Sequence, residues 1–275
     1  MRFLEIGLQL WVSCFLGSNI SNLNKTPIPF KYLEGKTYNV KAEKTIWAKL
    51  SQNVWDKYQA LLVLCIFADG IPRVPPMIIF HGKGERLRQE WQHYDPHMVV
   101  KFNPKAYVNS STIVKWLDKQ LVPVLESCPT LLVLNLFSPH KTEEVLNNFS
   151  ANDIIISLIL GDCTALVQPL DVSINQPFKD ILKEVLEERL DVMEREEEEI
   201  LLAGGRLTGS MIGRRRVLTI WAVGEAWEYF SHDHKEVIVK AFQVLGISLP
   251  ISSAIDQEIS VKGIDSTFLI NGLQS

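Results

Sequence analysis

The sequence predicts an α/β fold, a mixed sheet flanked by helices with a helical C-terminal extension. Three observations carry this expectation. Ala60 to Ala68 (Ala-Leu-Leu-Val-Leu-Cys-Ile-Phe-Ala) is an almost unbroken apolar, β-prone run, the pattern of a strand covered on both faces. Two later apolar runs, Leu131 to Leu134 and Asp153 to Leu160, are separated by stretches with helical spacing. Such β-α-β-α-β alternation calls for a largely parallel sheet with helices on both sides. From Pro177 onward the pattern is helical, and Gly204-Gly205 interrupts it.

Size and composition agree with this expectation. The chain has 275 residues and is 47% hydrophobic, enough for one large domain or a domain with a helical appendage, and too apolar to be disordered. Its net charge of -4 excludes a basic footprint spread over the whole chain, while local basic clusters stay open. The four cysteines, Cys14, Cys65, Cys128 and Cys163, are far apart and form no CxxC pair. They read as small buried hydrophobes rather than as a zinc site or disulfide scaffold, which suits a reducing compartment. Residues 1–18 form an apolar leader, which Glu5 and Gln9 interrupt and which is too short to span a bilayer. It reads as a core helix or the frayed start of a shortened frame, with a targeting segment as the alternative. Asn-x-Ser/Thr matches at Asn19, Asn24, Asn109 and Asn148 bear on the chain only if it is secreted.

In chain order, residues 19–23 read as a linker or short strand, and Pro27 and Pro29 exclude a helix interior beyond them. Tyr32 to Gly35 reads as a turn, and Val40 to Leu50, with Lys41, Lys44 and Lys49, as an edge strand. Asp69-Gly70 joins the Ala60–Ala68 strand to Val74–Phe80 as an antiparallel hairpin, with Asp69 as its turn residue. A polar insertion then runs from His81 to about Asn109. Ser110 or Ser111 caps a helix carrying Ile113, Trp116, Leu117, Leu121 and Val124. The strand from Leu131 ends at Asn135, and the turn Ser138-Pro139-His140 leads to a short helix from Lys141 to about Asn148. The long helix from Pro177 to Leu202 has the apolar stripe Phe178, Leu182, Val185, Leu186, Leu190 and Met193. Glu194 and Glu196 to Glu199 read as its solvated part, with a basic partner as the alternative. Further helices follow from Gly213 and from Glu236, with Trp116, Trp221 and Trp227 as core residues; in the tail, Phe268 to Ile270 is able to dock. The resulting units are residues 1–18, 19–203 and 204–275.

Phosphodiester chemistry in such a fold needs carboxylates from several strand ends, because two divalent metals roughly 3.5–4 Å apart neutralise the attacking and leaving oxygens. The segment that draws attention is Leu-Val-Gln-Pro-Leu-Asp, Leu166 to Asp171, which follows one apolar strand and opens the long helix. Upstream stand Asn24-Lys25-Thr26-Pro27 with Ile28 to Tyr38, then Ala68-Asp69-Gly70, Pro75 to Lys83 and the strand ending in Asn135, and Asp171 to Lys179 continues the segment downstream. Taken in order, these segments resemble the DDE superfamily endonuclease domain of pogo/jerky/Tigger-type transposases, in a truncated and degenerate form.

The resemblance implies a ribonuclease-H-like fold and magnesium-dependent DNA cleavage and strand transfer as the ancestral chemistry. It assigns the three acid positions to Asn24, Asn135 and Asp171. Asp171 alone is a carboxylate, and Asn carries no charge for a metal. Lys25 adds a positive charge where the family often has Glu. The chain is therefore expected to bind DNA with low specificity without catalysing its cleavage, and to need no cofactor, with Mg or Mn entering only if activity persists. The alternatives are an active metal-dependent endonuclease and a non-catalytic protein-interaction or inert fragment. Nucleic-acid-binding candidates are Lys83, Arg86 and Arg88, His140, Gln168, and Arg214, Arg215 and Arg216, with solvated surface as the competing reading for the basic groups and an orienting bond to Asp171 or the loop for Gln168. Without the resemblance, Asp171 reads equally as a helix cap. The family's upstream helix-turn-helix region has no counterpart before the first strand, so recognition of particular terminal repeats is not expected. A homo-oligomer is allowed, and no membrane or small-molecule substrate is expected. The resemblance implies a nuclear location, with cytoplasm as the alternative.

Overall fold

The computed structural model describes residues 16–29, 59–85, 87–126, 128–136, 142–248 and 258–263. The expectations for residues 1–15, Tyr32 to Gly35, Val40 to Leu50, the Ser138 to His140 turn and Phe268 to Ile270 lie outside the described residues.

Among the described residues, six strands form one mixed sheet in the order β4-β3-β2-β1-β5-β6. They are β1 (Ile20–Pro29), β2 (Gln59–Phe67), β3 (Met77–His81), β4 (Val99–Asn103), β5 (Thr130–Asn135) and β6 (Ile154–Ile159). β1, β2 and β3 pair antiparallel in turn, whereas β3/β4, β1/β5 and β5/β6 pair parallel. Among the described residues, seven α-helices accompany them: α1 (Arg88–Trp91), α2 (Ser110–Trp116), α3 (Glu143–Ala151), α4 (Thr164–Val167), α5 (Asn175–Leu202), α6 (Met211–Asp233) and α7 (Lys235–Gln243). This is the ribonuclease-H-like arrangement of a mixed sheet between helices, with a C-terminal helical extension. Among the described residues no helix is long and apolar enough to cross a membrane.

Because side chains alternate across a strand, the sheet supports two apolar layers. One face, with Leu62, Leu64, Ile66, Leu131 and Val133, is covered by Phe178 and Leu182 of α5, by Ile220, Trp227 and Phe230 of α6, and by Ile238 and Phe242 of α7. The opposite face, with Leu23, Val63, Cys65, Leu132 and Leu134, is covered by Ile113 and Trp116 of α2 and by Val145 and Phe149 of α3. The helices after Gly204 thus share one core with the sheet. Phe178, Trp227 and Phe230 lock together there, with ring centroids 5.9 to 6.2 Å apart.

Several elements differ from the sequence reading. In the 19–23 stretch Asn19 closes a 3-10 turn and Ile20 begins a ten-residue strand rather than a short one. Pro27 is tolerated inside it because β5 pairs only with Ile20 to Leu23, so among the described residues no strand pairs with that side of β1 further along. The stretch taken as a polar insertion contains β4, a half-buried edge strand whose central Lys101 breaks the apolar signal. Asn109, not Ser110 or Ser111, caps α2, its Oδ1 accepting from the Thr112 N–H at 2.8 Å. Trp221 is 37% exposed instead of buried, and its indole N–H donates to the His93 carbonyl.

The Asp69-Gly70 turn is as expected and tightly held. Asp69 Oδ1 accepts from the Ile71 N–H at 3.0 Å, and Arg73 grips both carboxylate oxygens. Those bonds to Arg73 and Ile71 hold the Asp69 carboxyl below its ordinary range, against the opposing effect of burial. Gly70 has φ +71°, and a Cβ there would lie 2.7 Å from the Lys235 side chain of α7.

Phe230 is fully buried between sheet and helices. Phe230→Ala is expected to lower unfolding free energy by about 3–5 kcal/mol, a loss read directly as a lower urea midpoint.

Candidate functional site

The three positions assigned to the acid cluster meet at one end of the sheet. Asn22 and Asn24 lie on the same face of β1 as Ile20 and Ile28, the face covered by α5 to α7. On β5, Asn135 follows Leu131 and Val133 on that same face. Leu23 pairs with Leu134 across the parallel ladder, so Asn24 and Asn135 come level at the ends of β1 and β5. The chain leaving β6 passes through α4 and returns over this edge as Gln168-Pro169-Leu170-Asp171. A widened π turn, Leu170–Ile174, then leads into α5.

Two buried side-chain amides pin that return to β1. Asn22 is fully buried, accepts from the Leu170 N–H at 3.1 Å and donates to the Val133 carbonyl at 3.0 Å. Gln168, equally buried, donates to the Leu23 carbonyl at 3.2 Å. Together they deliver Asp171 to Asn24, whose Nδ2 donates to Asp171 Oδ1 at 2.6 Å. Asn175 donates to the same oxygen at 2.8 Å.

The orientation of the Asn24 amide follows from its second bond. Its Oδ1 accepts from the Lys25 backbone N–H at 2.7 Å, and a backbone N–H only donates, so Nδ2 must face Asp171. Partial burial pushes the Asp171 carboxyl above its usual range, while the amides of Asn175 and Asn24 and the charge of Lys179 pull the other way. Burial also lowers the Lys179 amine, with Asp171 opposing. Lys25, on the opposite face of β1, is pushed down by burial to about 7. Among the described residues, no group of three His, Cys, Asp or Glu side chains lies close enough to hold a metal ion.

The basic candidates fare unequally. Lys83 and Arg88 are exposed beyond the end of β3, and Arg86 and His140 lie outside the described residues. The Arg214–Arg216 cluster is not an open cationic surface, because each arginine faces a carboxylate. Arg214 donates to Glu197 at 2.6 Å, Arg215 stands 3.5 Å from Glu194, and Arg216 donates to Glu90 at 2.6 Å. The acidic run of α5 is therefore not solvated throughout: two of its members hold α6. Arg216 also lies over the rings of Phe80 and Phe102 at 5.7 and 5.4 Å, so its work is joining α6 to the β3–β4 edge.

Asn22, Asn175 and Lys179 escaped the sequence reading as site residues. Asn22 carries the one usable signal, a polar residue two positions before Asn24, hence on the same strand face. Asn22→Ala is expected to leave a buried N–H and a buried carbonyl without their partner and to destabilise the fold by about 2–3 kcal/mol, measured by chemical denaturation. Lys25→Met has a separate signature. With a folded value near 7 against 10.5 unfolded, the unfolded chain takes up the proton first as pH falls. Wild-type stability should therefore decline from pH 10.5 toward 7, and the advantage of the methionine variant in melting temperature should grow over the same interval.

Comparison with known proteins agrees with this architecture. The DDE superfamily endonuclease family matches residues 57–233. A human protein described as a pogo transposable element with KRAB domain is 22% identical over 169 residues, which is 60% of this chain and 27% of that protein. The chain thus spans about a quarter of the length of that curated relative. Solved structures of Mos1 transposase are also similar. Its strand transfer complex aligns with a TM-score of 0.46 at 11% identity, covering 88% of this chain and 55% of that one. Its paired-end complex with Mn aligns at 0.41 and 13% identity, covering 90% and 61%. The family match extends over more than half of the chain, from β2 to α6: the chain belongs to the DDE superfamily endonuclease family.

Proposed function

We propose that this chain is a DNA-associating DDE endonuclease domain that has lost paired-metal chemistry. The observation that carries the reading is the hydrogen bond from Asn24 Nδ2 to Asp171 Oδ1. Two divalent cations need oxygen donors and negative charge converging from several strand ends. Here the Asn24 carbonyl oxygen is engaged by the Lys25 N–H, and its amino end is turned toward the carboxylate. Asn135 contributes another uncharged group at the same level, and Lys179 adds a positive charge facing Asp171. This donor set does not fit a metal pair, so no cleavage step is assigned to it.

Association with DNA is supported by family membership and by the exposed Lys83 and Arg88. Contacts of this kind engage phosphates and position a duplex without reading its bases, which implies low sequence specificity. The same reading places the protein in the nucleus and allows self-association on DNA.

The test uses a fluorescently labelled duplex and the full chain. Binding should weaken about tenfold or more as salt rises from about 50 to 200 mM, with a shallower dependence when Lys83 and Arg88 are replaced by alanine. Added magnesium or manganese should produce no nicking that depends on Asp171. A metal-dependent cut abolished by Asp171→Ala would overturn the loss of chemistry, and salt-independent or absent binding would overturn the DNA association.

A further inference from the structure

The sheet ends in two unlike edges. On β4 the central residue, Lys101, is exposed, and a charge in that place guards an edge against pairing with a further strand. The opposite edge is β6, Ile154-Ile155-Ile156-Ser157-Leu158-Ile159, and the chain stays extended through Leu160. This strand holds no charge and no proline, and its isoleucines favour extended pairing. Ile155 and Leu158, on opposite faces of the strand, are 36% and 40% exposed, and Leu160 is 63% exposed.

Two bonds at the ends of β6 fix the direction of its backbone groups. The Asp153 carbonyl accepts from the Thr130 N–H at 3.1 Å, and the Ile159 carbonyl from the Leu136 N–H at 2.7 Å. Carbonyls alternate along an extended strand, so residues 153, 155, 157 and 159 turn theirs toward β5. The N–H and C=O groups of Ile154, Ile156 and Leu158 therefore point away from the sheet, on a side where no strand pairs among the described residues. The row ends at Leu160, whose carbonyl turns back to accept from the Cys163 N–H at 2.9 Å. Outward donors and acceptors set between apolar side chains are matched by an extended apolar segment of another chain.

We infer that β6 pairs antiparallel with β6 of a second copy of this chain, across a two-fold axis at Ser157. This register joins the outward-facing residues: Ile156 lies opposite the partner's Leu158, and Ile154 opposite the partner's Leu160. On the other face Ile155 lies opposite the partner's Ile159. Every exposed apolar side chain of the strand then meets another apolar one, and Ser157 meets its own copy at the axis. Asp153 and Asp162 fall opposite Gly161 and Asn152, so no two acids are opposed. An axis at Ile156 would instead set Leu160 against Asn152 and Ile155 against Ser157. Lys101 keeps β4 from serving as the partner of β6, so the assembly closes as a dimer instead of growing into a filament. One pair of short strands buries less than about 1,200 Å², the range of weak, reversible association. The pairing uses neither the Asn24–Asp171 contact nor DNA, and it stands or falls independently of the proposed function.

The experiment is analytical ultracentrifugation of the full chain without DNA from about 1 to 200 µM, with amide hydrogen exchange followed by NMR at both ends of that range. A reversible monomer–dimer equilibrium with a micromolar Kd is expected. The Ile156 and Leu158 amides should exchange severalfold more slowly at the high concentration, while those of Ser157 and Ile159, which face β5, change less. Leu158→Lys, at an exposed position, should weaken the dimer about tenfold or more and leave the melting temperature of the dilute monomer unchanged. The proposal is overturned if the chain stays monomeric throughout or grows without limit beyond a dimer. It is equally overturned if the Ile156 and Leu158 amides are protected alike at both concentrations, or if Leu158→Lys dimerises as tightly as the unaltered chain.

Discussion

The candidate site depends on one constraint, the attachment of the Gln168–Asp171 return to the first strand by buried amides. Asn22 bridges β1 to the Leu170 N–H on one side and to the β5 carbonyl of Val133 on the other. Gln168 reaches back to the Leu23 carbonyl. An Asn or Gln side chain carries both a donor and an acceptor, so a single residue can satisfy two backbone groups that packing has removed from water. A carboxylate at position 22 would accept the Leu170 N–H but could not donate to Val133 when ionised. The turn is consequently fixed relative to the strand ends, whatever chemistry those ends perform.

Amides beside a single carboxylate set the electrostatic character of the edge. Carboxylates gathered at strand ends repel one another until cations neutralise them. With Asn at position 24, Asp171 instead obtains hydrogen bonds from Asn24 and Asn175 and a positive charge from Lys179. Asp171 is thereby held by donors from within the protein. Such an arrangement stabilises the local structure and reduces the incentive to bind metal, because a cation would have to displace donors already in place.

Charge elsewhere is distributed with equal economy. The arginines of α6 and the acids of α5 and α1 are spent on each other, so a cluster that is conspicuous in the chain is quiet on the surface. Arg216 and Glu90 are both largely buried, and removing either would leave the other desolvated and unpaired. Glu90 also accepts from the Tyr94 hydroxyl at 2.7 Å. Burial, reinforced by that carboxylate, pushes the Tyr94 hydroxyl above its ordinary range. The outer end of α5 still exposes Glu194, Glu196, Glu198 and Glu199, which disfavours that end as a DNA-facing surface.

The sequence by itself determined the fold class, because apolar runs and helical stripes report period and burial locally. β2, β3, β5 and β6, the stripe of α5 and the Asp69-Gly70 turn were all legible for that reason. So was the Gln-Pro-Leu-Asp segment, and the asparagines at positions 24 and 135 could be read from the letters. What only the tertiary structure decided were matters of pairing between distant segments. The length of β1 and the existence of β4 depend on neighbours in the sheet, which override proline at 27 and lysine at 101. The direction of the Asn24 amide depends on the Lys25 N–H, the role of Asn22 on a strand and a turn far along the chain, and the silence of Arg214–Arg216 on carboxylates from two other helices. Local pattern encodes which residues are buried; which partner satisfies a buried polar or charged group is set by three-dimensional contact, and at this site those contacts carry the chemistry.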